Sequence, residues 1–238
     1  MLKPETQKVW DYLRHQKSLR GFVLLGGTAL SLHIGHRLSE DLDFAYLEPS
    51  LPKDRLDILL RLAAEAGFRL DRNDSPDAVT EFERGGGDLH DYQQDFIANR
   101  TVKVTFFTLS PSMAAVLEPA SEDEVRVASV NEIFKTKCLV SATRSKTRDW
   151  FDLYVLMKDH GYSLSDYRQA FIQAGIEDQS DLGLERLCNG APQASDEGYE
   201  ALLENPPTLV EMQDYFRMAR SALEIEEARK AFAQDRNP

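Results

Sequence analysis

The chain has 238 residues, 42% of them hydrophobic and 29% charged, with a formal net charge of −12. Its length suits one full domain or a core domain with a smaller appendage, and no apolar run approaches the ~18 residues of a membrane-spanning helix, so no membrane partner is expected. The acidic balance argues against a broad nucleic-acid footprint and leaves a local basic patch as the way to hold one.

The opening "MLKPETQKVWDYLRHQ" has no apolar stretch between a basic start and a cleavage site, so no secretory signal and a cytoplasmic location are expected. Residues 5–17 have a helical pattern with Val9, Trp10 and Leu13 on one stripe. "GFVLLGG" reads as a short buried strand ending in a glycine turn. Residues 28–34 suit a helix stopping near Gly35, and "LDFAYL" returns as a strand. After Pro49 and Pro52 a second helix, "DRLDILLRLAAEAG", keeps Leu56, Leu59, Leu60 and Ala63 on one face, with Gly67 as its cap. "DYQQDFIA" and "TVKVTFFTL" alternate and join at Asn99 and Arg100, which predicts a hairpin. From residue 131 the periodicity is helical, apart from a loop at "CNGAPQASDEG". The expected division is a mixed α/β core at 1–125 and a helical region at 126–238. Cys138 and Cys188 are isolated, as buried small hydrophobes are, and suggest neither a disulfide nor a zinc site.

The chemistry gathers in "VLLGGTALSLHIGHRLSEDLDF". On a strand, residues i and i+2 share a face, so Asp41 and Asp43 project together while Leu42 and Phe44 face the core. Two carboxylates that close repel unless a cation lies between them, and carboxylates completed by substrate phosphates suit Mg2+. The backbone of Gly26 and Gly27 can approach a phosphate closely, the following helix aims its amides there, and Thr28 offers a hydroxyl donor.

These residues resemble the DNA polymerase β-type nucleotidyltransferase signature. The form GGTAL followed by GHR, S and DLDF is similar to the AbiEii/AbiGii toxin family. The resemblance resumes at "SVNEIFKTKCLVSATRSKTRDWFDLYVLM". It implies an α+β fold, a polymerase β-like mixed sheet with flanking helices followed by a helical C-terminal region. It also implies a Mg2+-dependent enzyme that transfers NMP from an NTP to an acceptor hydroxyl, a tRNA or other RNA end in some relatives. Such a protein is often the toxin of a pair, with a cognate antitoxin as partner. Asp41 and Asp43 are then metal ligands and catalytic, Lys137 and Asp152 catalytic, and Gly26, Gly27, Thr28, Lys137 and Asp149 nucleotide-binding.

In the later segment Lys137 falls on the stripe of Ile133 and Phe134, either snorkelling to the surface or reaching phosphate, whereas Lys135 faces solvent. Thr147 is the expected N-cap of the next helix, which puts Asp149 in its first turn. Asp152 lies a turn further in, among aromatic residues, where Arg148 can pair with it and the family motif gives it a catalytic or lysine-orienting role. Arg144, Lys146 and Arg148 form the densest basic cluster and the expected docking place for RNA. Enzymes of the polymerase β type that use two metals usually present a third carboxylate on a later strand, where this chain has Thr105. Asp95 is the alternative there, or else a solvated strand residue. A non-catalytic nucleotide- or partner-binding protein and a small-molecule-modifying nucleotidyltransferase are the competing readings.

Overall fold

The structure, a computed structural model, describes residues 2–234. It falls into two compact units that divide between Ile133 and Phe134. In the first, strands β1 (Phe22–Leu25), β2 (Leu42–Tyr46), β3 (Leu70–Arg72), β4 (Gln93–Ala98), β5 (Val102–Thr108) and β6 (Arg126–Val127) form one sheet in the order β3-β4-β5-β2-β1-β6. The sheet is mixed: β1 is antiparallel to β2, and β2 runs parallel to β5. Helix α1 (Pro4–Leu13) precedes the sheet, and α2 (Gly26–Ile34), α3 (Lys53–Glu65), α4 (Pro76–Arg84) and α5 (Pro111–Ala114) are threaded between its strands. This is the expected α+β sheet with its flanking helices.

Alternation along the strands separates two faces. One is aromatic: Phe44 and Phe106 are register partners with ring centroids 5.3 Å apart, and Phe22 and Phe96 meet Phe106 edge-on at 5.7 and 5.9 Å. Helix α1 covers that face, its Trp10 lying 6.2 Å from Phe44, which accounts for the apolar stripe of Val9, Trp10 and Leu13. The other face receives the odd-numbered positions of β2, including Asp43. The hairpin between β4 and β5 turns where expected, with Asn99 and Arg100 at φ 48 and 68, the left-handed pair whose twist suits a tight hairpin.

The helix α6 (Val130–Ser141) contains the division between the units. The second unit continues with α7 (Thr147–Asp159), α8 (Leu164–Gln173), α9 (Ser180–Asn189) and α10 (Leu209–Gln234). It is helical throughout its described residues, as the periodicity requires. Ser163 and Asp166 close a reciprocal cap at the start of α8. The sheet itself runs on to β6, beyond the expected boundary at 125, because Val23 and Leu24 pair in parallel with Arg126 and Val127.

Glu132 fastens that last strand. One carboxylate oxygen accepts the Glu118 amide at 2.7 Å and the Arg126 guanidinium at 2.9 Å. The other accepts the Arg126 guanidinium, the Ser129 amide and the Ser129 hydroxyl at 2.7 to 2.8 Å. Burial pushes its carboxyl up, but Arg126 and the amides outweigh burial and hold it down at about 2, from an ordinary 4.5. A depressed folded pKa stabilises the fold above the unfolded value and stops doing so as pH falls through the folded one. Glu132→Gln is therefore expected to destabilise the protein at pH 7 by on the order of 3 kcal/mol, a difference that shrinks between pH 4.5 and about 2. Urea denaturation of both proteins across that range checks this, and a constant difference would refute it.

Candidate active site

Helix α2 starts directly on the double glycine, and its N-cap, Leu25, offers no side-chain hydrogen bond to the first amides. Leu25 pairs with Asp43 across the β1–β2 ladder, so the turn lies beside that carboxylate. Gly26 has φ +73, and a Cβ there would stand 2.7 Å from Asp43 Oδ2. Both the backbone conformation and the carboxylate exclude a side chain. At Gly27 a Cβ would fall 2.1 Å from a guanidinium nitrogen of Arg37, so the buried Arg37 lies across the turn. It also donates to the Leu38 carbonyl at 3.1 Å. Sequence reasoning gave Arg37 no role: it sits in an aperiodic loop, and only its place in the GHR motif marked it.

Thr28 is 1% exposed and its hydroxyl donates to the Asp41 carbonyl, with Ser39 Oγ 2.6 Å away. The expected donor to phosphate is thus engaged with the main chain, and it fixes the loop that carries Asp41. Ser31 reinforces that loop by donating to the Arg37 carbonyl at 3.1 Å. Asp41, one residue before β2, and Asp43 within it are half-buried, whereas Leu42 and Phe44 are fully buried, the expected alternation. The hard carboxylate oxygens of Asp41 and Asp43, beside a turn where a Gly26 side chain would collide with Asp43, fit Mg2+, which takes one or two carboxylates and completes its shell with phosphate oxygens and water. Among the described residues no three His, Cys, Asp or Glu side chains group so as to hold a metal by themselves.

Thr105 stands opposite Asp43 on β5, and Asp95 opposite Thr105 on β4. Asp95 is not a solvated strand residue. It is buried, its Oδ1 accepting the Thr105 hydroxyl at 2.7 Å and its Oδ2 the Gln93 amide at 2.7 Å.

The remaining expected residues form a second group, within the second unit. Lys137 does not snorkel: it is 5% exposed, with Nζ 2.5 Å from Asp149 Oδ1 and 2.8 Å from Asp152 Oδ2. Asp149 Oδ2 accepts Arg144 Nε at 2.7 Å. Burial pushes the Asp149 carboxyl up, but the Lys137 and Arg144 charges prevail and hold it below its ordinary value. The N-cap of α7 is Lys146 rather than Thr147. Thr147 instead donates its hydroxyl and amide to the Asp196 carboxylate at 2.6 and 3.0 Å. Arg148 reaches Glu197 at 3.0 Å and the Gly198 carbonyl at 2.8 Å. The loop "CNGAPQASDEG" therefore secures the start of α7. The expected basic cluster is largely matched by carboxylates, Arg144 by Asp149 and Arg148 by Glu197. Both cysteines are buried free thiols.

Aquifex aeolicus protein aq_aa25 is 26% identical over 165 residues, 69% of this chain and 71% of that protein. MenT4, a nucleotidyltransferase toxin of Mycobacterium tuberculosis, superposes with a TM-score of 0.56 at 14% identity, over 88% of this chain and 82% of that one, and so shares the fold. JHP933 of Helicobacter pylori aligns over 98% of this chain and 100% of its own, with a TM-score of 0.47 and 17% identity. The profile of the family described as "Nucleotidyl transferase AbiEii toxin, Type IV TA system" matches residues 10–236, from α1 through the glycine turn, the DLDF strand and the RDxxDLY helix. A match of that extent makes the chain a nucleotidyltransferase and a member of the AbiEii toxin family of type IV toxin–antitoxin systems.

Proposed function

We propose that the protein transfers NMP from an NTP to an acceptor hydroxyl at the glycine turn, with Mg2+ on Asp41 and Asp43 and an RNA end as acceptor. The observation that carries this reading is that the space a Cβ would take at Gly26 is held by the Asp43 carboxylate, and the space at Gly27 by the Arg37 guanidinium. Groups that attract a cation and groups that attract a triphosphate thereby meet within one turn. Bound there, Mg2+ supplies neutralisation of the triphosphate and polarisation at the α-phosphorus. Gly26 and Gly27 present amides to the phosphates, Arg37 adds a planar cationic fork, and Thr28 acts indirectly by holding the Asp41 peptide. Catalysis is then mainly positioning and charge stabilisation.

In the second unit, Asp149 and Asp152 orient Lys137. An ammonium already shared by two carboxylates contacts a phosphate only in exchange for one of them. RNA stays the first acceptor to test because the family resemblance implies it. Its electrostatic support is reduced by the pairing of Arg144 and Arg148. Membership of a toxin–antitoxin family is what supports a cognate antitoxin and a cytoplasmic location in this reading. No described helix is long and apolar enough to cross a membrane.

The protein incubated with each labelled NTP, Mg2+ and total tRNA is expected to label RNA. Asp41→Asn and Asp43→Asn should each lower transfer by ~10²-fold or more while circular dichroism shows the fold retained. Full transfer by either variant would remove the metal assignment, and label on protein or a small molecule would replace RNA as acceptor.

Lys137→Met should destabilise the fold by about 3 to 5 kcal/mol at pH 7, because two buried carboxylates lose their counter-charge. Since Asp149 is held low in the folded protein, the wild type loses this advantage as pH falls through the acid range, and the gap between the two should narrow. Lys135→Ala, as the control on the same helix, should change stability by less than about 0.5 kcal/mol. Equal, small effects in chemical denaturation would deny the buried network.

A further inference from the structure

The face of the sheet that carries Asp43 holds two more polar side chains in line with it. Asp43 registers with Thr105 on β5, and Thr105 with Asp95 on β4. Directly paired residues point to the same side at a strand spacing of about 4.8 Å. Thr105 and Asp95 are each 8% exposed. Thr105 Oγ1 donates to Asp95 Oδ1 at 2.7 Å, which leaves the lone pairs of the hydroxyl oxygen turned away from Asp95.

Asp95 is braced from several elements. Gln93 Nε2 donates to its Oδ2 at 2.7 Å, and its own amide donates to Asp74 Oδ1 at 2.8 Å. Asp74 in turn holds His90 Nε2 at 3.0 Å and Arg72 at 3.2 Å. Packing alone does not call for this, since a buried hydroxyl–carboxylate pair is replaceable by apolar residues of similar shape at little loss.

We propose that Thr105, held by Asp95, is the group that receives the acceptor's proton in the nucleotidyl transfer described above, a reading on which this inference rests. The acceptor oxygen forms its bond to the α-phosphorus as the bond from that phosphorus to the pyrophosphate oxygen breaks, and pyrophosphate leaves with the electron pair. The acceptor's proton passes to Thr105 Oγ1 while the proton of Thr105 passes to Asp95 Oδ1, and Asp95 returns it to water after release. Thr105 touches the acceptor, and Asp95 is a positioning residue that acts through it.

The test uses the full chain with Mg2+, labelled NTP and total tRNA. Thr105→Ser keeps the hydroxyl and should retain kcat within ~10-fold. Thr105→Val and Asp95→Asn should lower kcat by ~10² to 10⁴-fold while the NTP KM stays within ~3-fold. Thr105→Asp combined with Asp95→Asn should regain at least ~10-fold over Asp95→Asn alone, because the carboxylate then meets the acceptor directly. Circular dichroism shows which variants fold. If Asp95→Asn does not fold, the contrast of Thr105→Ser with Thr105→Val decides. Undiminished kcat in Thr105→Val, or kcat and KM falling and rising together with no recovery in the double variant, would reduce the pair to a structural strut while the transfer reading stands. No label with any NTP in the wild type would overturn both.

Discussion

Antiparallel pairing of β1 with β2 sets Leu25 opposite Asp43, and most of the first unit's chemistry follows from that register. The strand before the turn and the strand carrying the carboxylate become neighbours, so the turn has to pass beneath a carboxylate oxygen. Only backbone fits there, which fixes Gly26. The chain must then return from α2 to β2 within a short loop, and Thr28 and Ser31 close it by donating to main-chain carbonyls. A one-residue slip of β2 would place Leu42 or Phe44 against the glycines and turn both aspartates into the aromatic core.

The second unit solves a different electrostatic problem. Asp41 and Asp43 are half-buried at the edge of the glycine turn. Asp149 and Asp152 are buried and depend on Lys137 and Arg144. Such a network is a costly way to stabilise a helical core, because well-packed apolar residues serve as well or better.

The parts of the fold that were legible in the sequence are those whose signal is local. Alternation around Asp41 and Asp43, the glycine turn, the Asn99–Arg100 hairpin and the stripe of Trp10 and Leu13 each depend on residues a few positions apart. The strands β3 and β6, three and two residues long, are too short to show a period, and α4 buries no residue and so has no apolar stripe to read. In the site, side-chain direction was legible but partnership was not. The hydroxyl of Thr28 was correctly placed beside the turn, yet its acceptor is a carbonyl brought there by loop closure. Lys137 was correctly found on a buried stripe, yet its counter-charges belong to the next helix. Asp95 occupies an alternating strand whose two faces look alike until the neighbouring strand supplies Thr105.

The hydrogen bond from Thr28 to the Asp41 carbonyl joins the first turn of α2 to the peptide that carries a carboxylate of the pair. These two pieces of backbone shift together or not at all. On the proposed reading, an anion against the glycines and a cation on Asp41 would be linked through this one buried hydroxyl, and whatever factor either changes the other's affinity by is returned in full.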